Sequence, residues 1–391
     1  MYNKINHCFF RKERPMQKFV IAPDSFKECL SAKEVSEALA RGIRNVCPDA
    51  GIVLLPIADG GEGTLETVSN ERERVTLTVT GPNGTPVRAA YAVHRGTAIV
   101  EMARAAGLML TPPDRRHAAT ATTYGVGELI RHAIGQGARN ILLTAGGSAT
   151  NDGGCGMLAA LGAKFYRADG SEFLPTGGTL SELAEIDVEN LIFAHTSCKF
   201  TVATDVKNPL LGEAGATRMF APQKGAEPDE IEKMEKGMEH YATVLARVCG
   251  RSVDGIAGAG AGGGIAVPLL AFADAGIVSG IDAVLSAVGF AEAIRDADAI
   301  LTGEGKIDRQ SLLGKAISGV VRAAGEVPVY AFVGRLGDAK ERLLPLGLRD
   351  IYEVRQLATS DRDSMENAAQ YLCVLAERFM RERMRRGEKT I

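Results

Sequence analysis

The chain has 391 residues, and its 45 lysines and arginines nearly balance its 48 aspartates and glutamates, giving a formal net charge of -3. Hydrophobic residues make up 46% of the chain and charged residues 24%, which is typical of a soluble globular protein and excludes a disordered one. The near-neutral charge lacks the basic character typical of nucleic-acid-binding domains, so we expect no nucleic-acid partner.

The cysteines and histidines argue against a metal or disulfide scaffold. The seven cysteines never occur in CxxC spacing, and the six histidines never form HxxxH or HExxH pairs. No apolar run approaches the roughly 18 residues of a membrane helix, so we expect no membrane partner. Reduced thiols in a cytoplasmic enzyme are the expected state. The 45 glycines indicate many tight loops where backbone comes close to a ligand.

The amino-terminal segment MYNKINHCFFRKERP is basic, but its apolar stretch spans only residues 8–10, which is too short for a signal peptide. We expect residues 1–15 to form a disordered extension. Met16 stands directly before the first predicted strand and is a candidate natural start.

The first predicted unit is a strand, a helix and a second strand. An apolar run at residues 18–22 predicts the first strand. Ser31 and Glu34 have the spacing of a capping box, and the apolar periodicity that follows predicts a helix up to Pro48. Residues 52–57 predict the next strand. A strand–helix–strand unit of this length indicates a parallel sheet with helices on both faces.

The chain changes character near residue 73. Alternation predicts a strand at 75–79, and an antiparallel hairpin is expected at 89–93 and 97–102. The other elements predicted in this part are a helix at 124–135, a strand at 140–144, a helix at 157–161, a strand at 200–203 and a helix at 229–247. Residues 255–264 are nearly all glycine and alanine, and we expect no regular structure there.

The strand–helix alternation returns near residue 285. The predicted elements are a helix at 291–294, a strand at 298–302, a helix at 309–324, a strand at 327–333 and a terminal helix at 364–386. We therefore expect an α/β fold with a doubly wound, Rossmann-like parallel-sheet domain built from both chain ends, residues 16–76 and 285–391. A second α/β domain, 77–284, is inserted between them, and the active site is expected in the cleft between the domains.

Polar side chains follow three of the predicted parallel strands, at the edge where doubly wound sheets bind ligands. These side chains are Asp24, Ser25 and Lys27 after the first strand, Asp59 and Glu62 after the second, and Glu304, Lys306 and Asp308 after the strand at 298–302. Each loop alone is equally well explained as a helix cap or a turn. All three together favour a site, because stability does not require acids and bases at every strand end.

The inserted domain has a glycine-rich loop at residues 146–154, between a strand and a helix. Exposed backbone N–H groups at such a position bind anions, and side chains of the loop add polar groups. The candidate side chains are Ser148, Thr150, Asn151 and Asp152. An elaborate helix cap is the alternative interpretation. Asp205 and Lys207 place an acid and a base after the strand at 200–203.

The motif search narrows the chemistry. No GxxxxGK[ST] occurs, so the chain is not a P-loop NTPase, and the GxGxxG formed by Gly258, Gly260 and Gly263 follows no convincing strand. A hydride-transfer enzyme needs that dinucleotide signature, so a dehydrogenase is a poor alternative. Phosphoryl transfer needs amide donors, lysines, carboxylates for Mg²⁺ and a base, and the candidate loops supply them all. The residues alone predict an enzyme that handles ATP or phosphate.

Seven long segments carry a resemblance to a known family. They are IAPDSFKECLSA, PIADGGEGT, GGSATNDGGCGMLAALGA, ATDVKNPLLG, FAPQKGA, FADAGIVSGID and LTGEGKIDRQSLLGKA. Together they resemble the bacterial glycerate kinases of type I, from about Lys18 to Phe379. The resemblance implies ATP-dependent, Mg²⁺-requiring phosphorylation of D-glycerate in the breakdown of glyoxylate, glucarate and galactarate. It favours the 2-phosphate product over the 3-phosphate, and it implies two α/β domains with the active site between them.

Residue roles follow from what glycerate, a hydroxylated carboxylate, would need. We expect Asp205 or Asp59 to orient the reacting hydroxyl, and Lys27 and Lys306 to stabilise the transferring phosphoryl group. The expected metal ligands are Asp59, Glu62 and Glu304. Substrate or phosphate contacts are expected from Asp24, Ser25, Ser148, Thr150, Asn151, Asp152 and Asp308. Arg104 or Lys207 is expected to meet the substrate carboxylate, although either is equally well explained as a surface charge.

Two other functions remain open from the sequence. The first is a glycerate 3-kinase, or a kinase of another small hydroxy acid that shares this site. The second is a non-catalytic sensor of sugar acids or nucleotides built on a kinase fold. The oligomeric state is also open, with a homodimer as one option.

Overall fold

The computed structural model describes residues 17–26, 29–58, 60, 61, 63–307 and 316–386. The extension expected at 1–15 lies outside these residues. The strands in chain order are β1 (Lys18–Ile21), β2 (Gly51–Leu54), β3 (Arg74–Thr80), β4 (Pro86–His94), β5 (Thr97–Glu101), β6 (Asn140–Thr144), β7 (Lys164–Tyr166), β8 (Glu185–Asp187), β9 (Lys199–Ala203), β10 (Gly276–Val278), β11 (Ala299–Ile307), β12 (Val329–Leu336) and β13 (Leu348–Glu353).

The helices range from single turns to six turns. In chain order they are α1 (Ala32–Val46), α2 (Thr64–Val68), α3 (Ala103–Ala106), α4 (Tyr124–Gly135), α5 (Cys155–Ala160), α6 (Ala216–Phe220), α7 (Pro228–Cys249), α8 (Ala266–Phe272), α9 (Gly280–Ala287), α10 (Phe290–Ala293), α11 (Ala316–Ala323), α12 (Lys340–Leu343), α13 (Asp361–Glu366) and α14 (Ala368–Arg385). Short 3-10 turns link several of them.

The first sheet is built from both ends of the chain. Its order is β13-β12-β11-β1-β2, and every neighbouring pair is parallel. Helices α1 and α14 cover one face, where Phe379 packs edge-on against Phe19 with ring centroids 6.0 Å apart. Helices α9 and α11 cover the other face. The predicted α/β class with a doubly wound parallel sheet is confirmed.

The second sheet has six strands in the order β10-β9-β6-β5-β4-β3. Strands β3, β4 and β5 pair antiparallel, which confirms the predicted hairpin, whereas β5, β6, β9 and β10 run parallel. Helices α4, α5, α7 and α8 bury their apolar sides against one face. From the other face, Ile99, Leu142 and Ala203 pack in the same core as Val284 of α9. Helix α9 therefore lies between the two sheets.

The division into two domains stays a prediction. The six-stranded sheet begins with β3 at Arg74, three residues before the predicted boundary at 77. The return boundary at 285 falls inside α9, because that helix spans Gly280–Ala287 and contributes to the core shared by both sheets.

Helix α1 shows how directly the sequence dictates local structure. The Ser31 side chain accepts a hydrogen bond from the Glu34 N–H at 3.3 Å, and the Glu34 carboxylate accepts one from the Ser31 N–H at 2.8 Å. This is the predicted capping box. Its apolar face includes Val35, Leu39 and Ile43, all fully buried.

Several element predictions are wrong in extent, among them the strand predicted at 327–333, which spans Val329–Leu336 as β12. Strand β2 ends at Leu54, although the Leu55 and Ile57 N–H groups still donate to the Ile21 and Pro23 carbonyls. Strand β11 continues to Ile307 through residues predicted to form a loop, since Gly303 to Ile307 stay paired with β12. The long terminal helix is two helices, α13 and α14, with a break at Asn367. Of the helix predicted at 309–324, residues 309–315 lie outside the described part of the chain.

Candidate active site

A cavity of about 480 Å³ opens at the carboxyl end of the five-stranded sheet. It lies over the ends of β1, β11 and β12 and is closed on one side by α13 and the start of α14. Its charged and hydroxyl-bearing lining residues are Asp24, Ser25, Glu304, Lys306, Arg335, Arg355, Asp361 and Ser364. Ligands of doubly wound sheets bind at this edge, so the cavity is a candidate binding site.

Four residues predicted from separate parts of the chain meet in this cavity: Asp24, Ser25, Glu304 and Lys306. They meet because β1 pairs with β11. The Asp24 N–H donates to the Gly303 carbonyl at 2.8 Å and extends the pairing beyond the end of β1. The other predicted residues of this edge, Lys27, Asp59, Glu62 and Asp308, lie outside the described residues.

The glycine-rich loop at 146–154 is organised around a buried carboxylate. Asp152 is completely buried, and one of its oxygens accepts from the backbone and hydroxyl of Thr123 and from the Gly156 N–H. Its other oxygen accepts from the Gly154 N–H at 3.1 Å. Burial raises the pKa of Asp152, while the four donors favour its ionised form. Both carboxylate oxygens accept hydrogen bonds from within the protein, and neither is exposed to a ligand. The predicted contact between Asp152 and the substrate stays a prediction.

A lysine that sequence reasoning did not select supports the same loop from behind. Lys224, between α6 and α7, is 2% exposed. Its Nζ donates to Ser148 Oγ and to the Thr150 carbonyl, both at 2.7 Å. Burial lowers the pKa of Lys224 to about 7, with nearby Asp152 partly opposing the shift. Because Ser148 Oγ accepts a hydrogen bond from Lys224, the Ser148 hydroxyl proton points away from Lys224 and is directed at another acceptor.

The remaining polar residues of the loop are held inside the fold. Asn151 is fully buried and donates from Nδ2 to Thr217 Oγ1 at 3.1 Å, while its Oδ1 is a buried atom with no hydrogen-bond partner among the described residues. The backbone at Gly263 also lies close to the backbone of this loop. A Cβ on Gly263, which has φ +74, would lie 2.1 Å from the Thr150 carbonyl oxygen, so only glycine fits.

Asp205 lies where loops from both sheets meet. It follows β9, it is exposed, and its Oδ1 accepts from the Gly280 N–H at 2.9 Å. Gly60, in the loop after β2, has φ +85, and a Cβ there would lie 2.3 Å from Gly280 Cα. A Cβ on Gly146 would lie 3.6 Å from Gly61 Cα. The loops after β2, β6 and β9 therefore converge around Asp205.

Arg104 is engaged by two carboxylates. Its Nε donates to Glu101 at 2.9 Å, and its guanidinium also contacts Glu66. Glu101 is 1% exposed, and its second oxygen accepts from the Leu65 N–H at 2.6 Å, which ties α2 to the end of β5. Burial raises the pKa of Glu101, although Arg104 opposes this. The other candidate for the substrate carboxylate, Lys207, is exposed two residues after Asp205.

The donor chemistry fits a magnesium ion bound together with phosphates. Within the described residues, no group of three or more histidine, cysteine, aspartate or glutamate side chains is arranged to hold a metal by itself. Mg²⁺ in phosphoryl-transfer enzymes is usually held by only one or two carboxylates, with water and substrate phosphates completing its shell. Asp24 and Glu304 line one cavity and are a pair of this kind.

Comparisons with known proteins identify the family. The family model "Glycerate kinase family" matches residues 19–384. The chain belongs to the glycerate kinase family.

Individual family members cover nearly the whole chain. A glycerate kinase of Bacillus subtilis (strain 168) is 43% identical over 361 residues, which is 91% of this chain and 94% of that protein. A glycerate 2-kinase of Escherichia coli (strain K12) is 44% identical over 327 residues, which is 82% of this chain and 86% of that protein. The crystal structure of a protein assigned as glycerate kinase 2 from Salmonella typhimurium LT2 superposes with a TM-score of 0.85 at 39% identity, covering 95% of this chain and 99% of that one.

The chain is therefore an enzyme of this kinase family, and the resemblance and fold class expected from the sequence are confirmed. None of the helices described has the length and apolar character needed to cross a membrane. Lys224 was missed although it lies in FAPQKGA, one of the segments that carry the resemblance, because nothing in its sequence neighbourhood reports burial. Arg335 and Arg355 were missed because they lie beyond the motifs.

Proposed function

We propose that this enzyme transfers the γ-phosphoryl group of ATP to D-glycerate and forms 2-phospho-D-glycerate and ADP. The relatives named glycerate kinase support the acceptor, and the Escherichia coli glycerate 2-kinase supports the 2-phosphate. The observation that carries the proposal is the glycine-rich loop with Lys224 buried behind it, beside the exposed Asp205. A small hydroxy acid needs a cationic environment for its carboxylate and an acceptor for its hydroxyl proton, and these residues supply both.

The acceptor carboxylate binds at the loop after β6. Its partners are backbone N–H groups of the loop and the Ser148 hydroxyl, whose proton is turned outward by the hydrogen bond from Lys224. When protonated, Lys224 adds a positive charge behind the loop, where the low dielectric strengthens its attraction for an anion. Thr150 and Asn151 are fully buried and support this side of the site through hydrogen bonds to Gly262 and Thr217, and Asp152 holds the loop in shape.

Asp205 orients the reacting hydroxyl and accepts its proton. Its Oδ1 is fixed by the Gly280 N–H, so the carboxylate has a defined direction. The loops after β6 and β9 are neighbours, because the Ala145 N–H donates to the Ala203 carbonyl at 3.1 Å. Positioning contributes more than basicity to phosphoryl transfer, so an ordinary carboxylate suffices. Lys207 is the better of the two candidates for an additional contact to the acceptor, because Arg104 is already paired with two carboxylates.

The phosphates of ATP lie at the carboxyl end of the five-stranded sheet, where the predicted lysines Lys27 and Lys306 stabilise the transferred group. Mg²⁺ would be held by Asp24 and Glu304, together with the predicted ligands Asp59 and Glu62, and when bound it would neutralise charge on the phosphates. The active site lies in a cleft between a domain at 16–76 and 285–391 and a domain at 77–284. The enzyme acts in the cytoplasm, in the breakdown of glyoxylate, glucarate and galactarate.

The test is ADP formation from ATP, Mg²⁺ and D-glycerate, with the product fed to enolase alone. We expect an enolase signal without phosphoglycerate mutase, because enolase consumes the 2-phosphate directly. ADP release with an enolase signal only after mutase is added would instead establish the 3-phosphate. No ADP release with D-glycerate would refute the proposal, and a panel of small hydroxy acids would then identify the acceptor.

A further inference from the structure

The cavity at the carboxyl end of the five-stranded sheet is much larger than the acceptor requires. Its volume is about 480 Å³, within the roughly 300–1,000 Å³ of pockets that bury ligands of drug or nucleotide size. A three-carbon acid would fill a small part of it. The size of the cavity therefore favours the larger of the two substrates.

Part of the cavity lining is apolar. Phe26, Cys29, Met365 and Ala368 line it, and the Cys29 thiol donates to the Met365 carbonyl at 3.1 Å, so the segment after β1 and helix α13 meet there. Arg355, which donates to Asp361 at 2.8 Å, also lines the cavity. An aromatic nucleobase can pack against this lining, since thioether and guanidinium groups both pack favourably on aromatic faces.

The cavity also brings two cations side by side. Lys306 of β11 and Arg335 of β12 are direct neighbours in the parallel pairing of these strands, and both line the cavity. Arg335 is 63% exposed, and Asp361 lies 3.6 Å from it. Two cations at neighbouring positions attract a multiply charged anion more strongly than either cation does alone. Polyphosphate is such an anion.

The strand order gives the direction of the ligand. Strand β2, at one edge of the sheet, leads into the loop whose Gly60 and Gly61 approach Gly280 and Gly146 near Asp205. Helix α13 follows β13, at the opposite edge. A ligand with its base against Met365 and its phosphates at Lys306 therefore points its terminal phosphate toward the acceptor loop.

We propose that this cavity binds the nucleotide, with adenine against Phe26, Cys29 and Met365 and the polyphosphate between Lys306 and Arg335. The assignment rests on the proposed function, because it takes ATP to be the phosphoryl donor. It adds a nucleotide site that includes Arg335 and Met365, neither of which belongs to the segments that carry the family resemblance.

The test uses the full-length enzyme and the variant Met365→Asp, which places a negative charge at the base end. We expect its Kd for ADP, measured by calorimetry without acceptor, and its KM for ATP to rise at least about tenfold, with KM for D-glycerate within about twofold. The control is Met384→Asp on α14, since Met365 and Met384 are similarly exposed, at 48% and 58%. It should leave all three constants unchanged.

A second variant keeps the test decisive if Met365→Asp folds poorly, as judged by its melting temperature. Arg335→Gln should raise the Kd for ADP about tenfold and reduce the salt dependence of binding, because one phosphate contact is lost. Arg349→Gln, at an exposed arginine on β13, is the matched control and should bind ADP like the wild type.

The outcomes separate this assignment from the proposed function. If the wild type phosphorylates D-glycerate but neither variant changes ADP binding, the cavity is not the nucleotide site and the proposed function stands. A selective rise in KM for D-glycerate would also overturn the assignment, by making the cavity the acceptor site. If ADP binds and both variants weaken it while D-glycerate is not phosphorylated, the nucleotide site stands and the proposed acceptor is wrong.

Discussion

The polar side chains at the carboxyl ends of the two sheets differ in burial. At the edge of the six-stranded sheet, Asp152 and Lys224 are 0% and 2% exposed, and every contact described for them lies inside the protein. At the edge of the five-stranded sheet, the side chains of Arg335 and Arg355 are 63% and 37% exposed and line an open cavity. The site at the six-stranded sheet is therefore preformed, whereas the site at the five-stranded sheet is an open cavity.

The difference suits ligands of different size. A small anion makes few contacts, so its site gains most from donors that are already oriented and removed from water. Burying Lys224 is costly, and its lowered pKa reports that cost. A nucleotide offers a large apolar surface and several charges, so an open cavity with exposed cations can bind it without preformed burial.

The largest expected effect is on turnover, at Asp205. Asp205→Asn keeps an oxygen that can accept from the Gly280 N–H, so we expect normal folding, but it removes the proton acceptor and should lower kcat at least ~10²-fold. Steady-state kinetics and thermal melting check both parts. Asp187→Asn is the control, because Asp187 also accepts a backbone N–H, from Glu189 at 2.9 Å, on strand β8. Near-wild-type turnover of Asp205→Asn would remove Asp205 from the mechanism.

A second effect concerns stability, which should depend on the buried Asp152 but not on Lys306 in the open cavity. Asp152→Asn replaces one acceptor oxygen by an NH₂ group that faces donors, and it should lower the free energy of unfolding by about 2–3 kcal/mol. Lys306→Met, at the open edge, should lower activity and leave the melting temperature nearly unchanged. Chemical denaturation of both variants measures the contrast. Equal stability losses would show that the two edges are not built differently.

The next effect is on acceptor affinity. Lys224→Met removes the charge behind the loop and both of its hydrogen bonds, and it should lower kcat/KM for D-glycerate at least about tenfold, because hydrogen bonds from a charged group contribute about 1.5–3 kcal/mol. KM for ATP should change little. Lys199→Met, at an exposed lysine that begins β9, is the control. A selective rise in KM for ATP would contradict the placement of the two substrates.

The smallest effect is a pH dependence. The pKa of Lys224 is lowered to about 7, so its charge is present below that pH and is lost above it. D-Glycerate is an anion throughout this range. Its KM should therefore rise as pH increases through about 7, by no more in total than the effect of Lys224→Met, and Lys224→Met should flatten this dependence. A KM that falls with rising pH would contradict a cationic Lys224 behind the acceptor loop.

Local signals explain which parts of the fold the sequence predicted. The capping box of Ser31 and Glu34 and the apolar face behind it define α1, and alternation of polar and apolar residues defines β3. Strand β11 was predicted too short, because Gly303 to Lys306 have the composition of a loop and are extended only by pairing with β12. The break at Asn367 was missed because neither glycine nor proline marks it in the sequence, although α13 buries no residue and α14 buries an apolar side.

The site was predicted in composition but not in burial. The segments carrying Asp24, Glu304, Ser148 and Asp205 were selected because their glycines and acids follow apolar runs, and Asp24 and Glu304 line the same cavity. Sequence does not report that Asp152 accepts four internal hydrogen bonds or that a lysine in FAPQKGA lies against Ser148, because both depend on tertiary contacts between distant segments. Long-range packing therefore decides which polar residues hold the loop and which face the ligand.

The most direct test of this account is a crystal structure of the full-length enzyme with ADP and D-glycerate. We expect the D-glycerate carboxylate at the loop formed by residues 146–154, with its hydroxyl beside Asp205, and we expect ADP in the cavity between Met365 and Lys306. D-Glycerate in the cavity, or ADP against the loop that Lys224 supports, would contradict the division of the two substrates between the two sheet edges.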